Sequence, residues 1–147
     1  MIQQLVFSFV LSAVTVVMHA VGTVHVVIPA SRVLSWQGQN PPMPRPVWTL
    51  TCLVSMLLVL HLLEVSIWAA AFAAAHVLPD FETSLYYSLK SYTTVGYGDV
   101  LPPLSWRLLG PMEAAIGVLM LGWSTAIIVG AVQRIYGFRS ASSTTAP

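Results

Sequence analysis

The sequence predicts an all-helical integral membrane protein with three membrane-spanning helices and a fourth helix, between the second and third, too short to cross. Three observations carry this. Of the 147 residues, 56% are hydrophobic and only 7% are charged, whereas soluble domains carry roughly a quarter charged residues. No charge occurs before Arg32, and two further long apolar stretches follow, each able to cover the about 20 residues that a bilayer core demands. Prolines and polar residues punctuate the chain between these stretches, as loops require.

The first span is Leu5 to Ile28, within an N-terminal helical segment 1–30. A cleaved secretory leader is the rival reading, but Met1-Ile2-Gln3-Gln4 lacks a basic start and the apolar run is longer than such leaders use. Residues 31–46 hold Arg32, Arg45, Gly38, Asn40 and four prolines, Pro41, Pro42, Pro44 and Pro46, which deny the segment a regular helix. The second span is expected over 47–78, with Pro46 placed to start it and Pro79 to stop it. At a rise of about 1.5 Å per residue it is roughly 48 Å long, more than the hydrocarbon thickness, so it tilts or projects. Next, 81–92 predicts a helix of about three turns, N-capped by Asp80 with Thr83 following. The third span is expected over 105–136, with Gly137 as C-cap. The tail 137–147 is small and polar, with nothing to bury, and is expected to be disordered.

A net charge of +1 from six scattered basic residues excludes a nucleic-acid surface. Cys52, the lone cysteine, sits in an apolar run and reads as a small packed side chain.

The most specific signal is Thr93-Thr94-Val95-Gly96-Tyr97-Gly98-Asp99, set between the short helix and a Pro102-Pro103 turn into the last span. Helix, irregular segment and return describe a re-entrant loop, tolerated at membrane depth only where it is buried in protein or lines a wet cavity. A Gly-x-Gly alone is a weak signal for anything more than a surface turn. Thr-Thr-Val before it and a span on either side change that reading.

From Val47 to Tyr136 the chain resembles the pore domain of tetrameric potassium channels, the small prokaryotic kind without a voltage sensor. The heptapeptide is the worked case of carbonyl-ring selectivity. The resemblance implies that backbone carbonyls of Thr94, Val95, Gly96 and Tyr97, with the Thr94 hydroxyl, bind K+. It implies also that Gly96 and Gly98 supply the alternating backbone conformation that aims successive carbonyls at one axis. Val95 and Tyr97 would then project outward onto the pore helix. Each chain carries one motif and no internal repeat, so a closed four-fold ring calls for a homotetramer. The first helix is extra to the two-helix pattern.

The family places both ends of the pore domain in the cytoplasm, which puts the N-terminus outside a cell or bacterial inner membrane. Arg32, Arg45, Arg134 and Arg139 then fall inside and Arg107 outside, in keeping with the positive-inside rule. Lys90 departs from the family, whose members carry Glu or an apolar residue there. A lysine behind the filter must find a partner or solvent: Asp99 is the nearest candidate, Glu113 the alternative, and the outer solution the bland reading. Together with Thr93, Lys90 and Asp99 are the expected filter supports. Gly117, Gly122 and Gly130 allow either close helix packing or a gating hinge, and Leu119, Trp123, Ala126 and Gly130 are candidate cavity-facing positions.

His61 and Glu64 share a face of the second span, where an intramembrane carboxylate invites a functional role such as a gating sensor; a protonated Glu64 hydrogen-bonded to a neighbouring helix is the competing reading. The expected activity is passive K+ conduction, not catalysis, with no cofactor and with lipid and further copies of the chain as partners. Two alternatives remain open: a channel-like subunit that assembles without conducting, and a membrane cytochrome with haem between two of His19, His25, His61 and His76.

Overall fold

The computed structural model describes residues 2–29 and 45–136. The predicted tail 137–147, most of the predicted loop 31–46, and Arg32 and Arg139 lie outside the described residues. Three helices are long and apolar enough to cross a membrane: Ile2–Val27, Val47–Ala74 and Leu104–Arg134.

The first, α1 (Ile2–Gly22), continues through a π-helical turn at Thr23–Val27. It is amphipathic in an inverted sense. Gln4, Ser8, Thr15, His19 and Thr23 are buried, while Ile2, Phe9, Val10, Val17 and Val21 are exposed, as suits a helix with protein on one side and hydrocarbon on the other. Thr15 Oγ1 accepts a 2.9 Å hydrogen bond from Trp68 Nε1 of the second helix. Gln4 Oε1 accepts from the Leu108 amide at 3.3 Å.

The second helix, α2, runs Arg45–Ala74. It ends four residues before the expected boundary at Leu78, and the cause is a Schellman closure. The Val77 amide donates to Phe72 O at 2.9 Å and the His76 amide to Ala73 O at 3.0 Å, with His76 left-handed at φ 50°. That position normally takes glycine. Val77 and Phe72, both buried in one cluster, supply the apolar contact that accompanies the motif.

The short helix α3 spans Phe81–Tyr92. Asp80 caps it, accepting from the Thr83 amide at 2.8 Å and from Thr83 Oγ1 at 3.0 Å. These bonds hold the Asp80 carboxyl below its ordinary pKa. A 3-10 turn at Leu104–Trp106 precedes α4 (Leu109–Tyr136). The α-helix thus begins four residues later than expected. Pro111 is the reason: its ring would clash with the carbonyl four residues earlier in a helix interior and is tolerated only in the first turn.

The main core lies where α2, α3 and α4 meet. Trp68 and Phe72 of α2 pack with Tyr87 and Tyr92 of α3 and with Leu109, Ile116 and Met120 of α4. The edge-on pair of Phe72 with Tyr87 at 5.7 Å joins α2 to α3, and Trp68 stacks edge-on against Phe72 within α2 at 5.8 Å. Leu11 brings α1 into the same cluster.

Candidate functional site

The end of α3 unwinds stepwise into Thr93–Asp99. The Thr93 amide donates to Leu89 O at 3.2 Å, the Thr94 amide to Ser91 O at 2.9 Å and the Gly96 amide to Lys90 O at 3.2 Å, so the last helical carbonyls are satisfied as the chain turns. Thr93 sits at φ −82°, and then Thr94 (φ 62°), Gly96 (φ 56°) and Gly98 (φ 77°) are left-handed, whereas Val95 and Tyr97 are not. Handedness therefore alternates residue by residue. In an ordinary strand successive carbonyls point to opposite sides, and reversing every second residue brings them toward one side. Glycine adopts the reversed form without steric cost; at Thr94 an L-residue in this region costs about 1–2 kcal/mol, strain of the kind that gathers at functional sites.

Space does not select the two glycines. A Cβ at Gly98 would meet nothing within 4 Å, and one at Gly96 only Thr94 O at 3.9 Å. Conformation does. All seven residues of the segment are exposed in the single chain, and Tyr97 is 75% exposed. Val95, at 51% exposed, and Tyr97 are thus not enclosed by their own chain.

Lys90 is buried and aims along the segment. Its Nζ donates to Asp99 Oδ1 at 2.5 Å and to Val100 O at 3.0 Å, and lies 5.3 and 5.5 Å from the ring centres of Tyr86 and Tyr87. The hydroxyl of Tyr86 donates to the other Asp99 oxygen at 2.6 Å. The Lys90 ammonium, and secondly Tyr86, pull the Asp99 carboxyl down to about 2; the same contact raises the Tyr86 hydroxyl. Glu113, the other partner weighed for Lys90, instead meets Ser88 of α3.

Gly117 is a close-approach position: a Cβ there would lie 2.2 Å from Tyr92 O. Gly122 and Gly130 have nothing within 4 Å of theirs. Trp123, read as cavity-facing, has its ring 5.3 Å from that of His19.

Beneath the segment lies a polar cluster that draws on all four helices. His19 Nδ1 is 2.7 Å from Glu64 Oε1 and His61 Nδ1 is 3.2 Å from Glu64 Oε2. The Tyr92 hydroxyl donates to Glu64 Oε2 and lies 2.8 Å from His61 Nδ1. Ser124 Oγ faces both distal ring nitrogens, His61 Nε2 at 2.9 Å and His19 Nε2 at 3.5 Å. Glu64 is thus hydrogen-bonded to two neighbouring helices, α1 through His19 and α3 through Tyr92. His19, Tyr92 and Ser124 were not legible as its partners, although the polar stripe Gln4, Ser8, Thr15, His19 and Thr23 along an otherwise apolar span was the available signal. Of the four histidines only His19 and His61 converge, while His25 and His76 are exposed. The two rings lie with their centres 5.4 Å apart, bridged by Glu64 at the Nδ1 edge and by Ser124 at the Nε2 edge.

Three helices long and apolar enough to cross a membrane, with an exposed, alternately handed segment between the second and third, define an integral membrane protein. Residues 47–134, more than half of the chain, match the family model described as Ion channel, and the chain belongs to that family. It is a family of two-span channels that includes potassium channel pore domains. The match takes in α2, α3, Thr93–Asp99 and all but the end of α4, and leaves α1 outside. Searches of curated proteins and of solved structures returned no match.

Proposed function

We propose that this channel subunit is potassium-selective and works as a homotetramer, conducting K+ passively through a four-fold ring of backbone carbonyls. One observation carries the reading: the left-handed backbone at Thr94, Gly96 and Gly98, which turns successive carbonyls of Thr94, Val95, Gly96 and Tyr97 to one side. Four such rows around an axis replace the hydration shell of a dehydrated K+.

The exposed apolar side chains support the tetramer. Tyr97 at 75% and Leu104 at 80% exposed have no cover within one chain, and neighbouring copies around an axis supply it. In this assembly α3 acts as the pore helix, with its carbonyl end, which carries partial negative charge, next to Thr93. Lys90 braces Asp99 from behind the filter. Gly117 sets the contact between inner helix and filter base, while Gly122 and Gly130 are free to serve as hinge. The N-terminus lies outside and the C-terminus in the cytoplasm.

Planar-bilayer recording of the purified full-length protein tests the proposal. Unitary K+ currents are expected. A tetramer that carries no current under any applied voltage would assign the chain instead to the assembling, non-conducting class.

A further inference from the structure

We propose that His19, His61 and Glu64 form a binding site for a divalent transition-metal ion of the zinc type, buried where α1, α2 and the end of α3 meet. The ligand atoms of these three buried residues lie within 4.8 Å of one another. A tetrahedral ion with bonds of about 2.0–2.2 Å holds its ligand atoms roughly 3.3–3.5 Å apart. The Nδ1–carboxylate distances of 2.7 and 3.2 Å need only modest opening to accept one. Imidazole nitrogen with a single carboxylate favours zinc and its neighbours over calcium or magnesium, and the Tyr92 hydroxyl, 2.8 Å from His61 Nδ1, offers a further oxygen.

The hydrogen-bond pattern is compatible with such an ion. With hydrogen on Nε2 both rings donate to Ser124 Oγ, at 2.9 and 3.5 Å, and both Nδ1 lone pairs face the Glu64 carboxylate, an arrangement that a cation between them makes attractive. Ser124 takes the part that partners of metal-bound histidines ordinarily play, accepting from the ring nitrogen opposite the ion. Glu64 is 0% exposed and among the described residues is paired with no Lys or Arg, and a buried carboxylate calls for a compensating positive charge. A bound ion would tie α1 to Tyr92, the residue just before Thr93. Proton placement alone can also close the circuit, either by a mixed tautomer, with His19 donating from Nδ1 to Glu64 and His61 from Nε2 to Ser124, or by one added proton shared between the rings and Glu64, and that is the rival outcome.

The test is metal content. Tag-free, full-length protein in detergent is stripped with EDTA, equilibrated with ZnCl2 at micromolar free Zn2+, desalted and measured by mass spectrometry. The wild type is expected to keep about one zinc per chain, held by the three protein ligands. His19→Ala and His61→Ala are expected to lose it, Ser124→Ala to weaken it about 10–100-fold, and His25→Ala and His76→Ala to leave it unchanged. Less than about a tenth of an ion per wild-type chain, or equal retention by His19→Ala and His61→Ala, overturns the site in favour of the proton. Should those variants fail to assemble, Co2+ added to the stripped wild type decides: intense tetrahedral visible bands are expected, and a spectrum of hydrated Co2+ alone overturns it.

Discussion

Replacing Gly117 by alanine isolates the contact between α4 and the base of Thr93–Asp99. A Cβ at this position would stand 2.2 Å from the Tyr92 carbonyl oxygen, 3.0 Å from its carbon and 3.1 Å from its Cα. These are backbone atoms at the end of α3, so no side-chain rotation relieves the overlap, and the two helices must part by about 1 Å to restore van der Waals contact. Overpacking of this kind costs about 1–3 kcal/mol. Alanine in a helix interior recovers about 1 kcal/mol relative to glycine, so the net is about 0–2 kcal/mol of destabilisation per chain, delivered at the residue before Thr93. Thermal melting of the purified channel, paired with K+ flux from liposomes, reads both consequences. Gly117→Ala should melt lower and pass less current, whereas Gly122→Ala and Gly130→Ala, with open space at their Cβ positions within the chain, should melt no lower than wild type. A Gly117→Ala channel that melts at or above the wild-type temperature with unchanged flux would refute the close-approach argument.

Lys90→Met removes the ammonium from Asp99 while keeping the apolar stem; inactivation in bilayer recordings should accelerate with ion preference unchanged, and identical inactivation would remove the bracing role. The pair should be insensitive to pH over the physiological range. Asp99 is held down to about 2 against an unfolded value of about 3.9, so its stabilisation is fully present above about pH 4 and is lost as pH falls through 2. Inactivation rates measured from pH 8 to pH 5 should therefore show no titration that disappears in Asp99→Asn. His76→Gly places glycine at the left-handed end of α2 and should stabilise the protein by about 1 kcal/mol, visible as a higher melting temperature; a lower one would mean that the His76 side chain has a partner in the assembly.

Much of the fold was legible because local chemistry and global placement agree. Asp80 and Thr83 mark the start of the short helix, and the three apolar runs need no tertiary context to be read as spans. Boundaries were less so: α2 stops early through the left-handed turn at His76, a residue with no strong preference for that conformation, and α4 starts late because Pro111 needs the first turn. Within the candidate site, Gly96 and Gly98 announce a reversed backbone, but the matching reversal at Thr94 comes from neighbouring geometry and leaves no trace in residue type. The Lys90–Asp99 contact followed from placing both residues behind one loop. The polar cluster around Glu64 joins residues up to 105 positions apart, and only the packing of α1 against α2 and α4 brings them together.

Selective conduction of K+ is the centre of this account, and the reversal potential of the reconstituted channel between K+ on one side and Na+ on the other tests it most directly. The reversal potential of a potassium-selective channel should follow the potassium gradient, moving by about 59 mV for each tenfold change in K+. A value that stays near zero as K+ and Na+ are exchanged would contradict it.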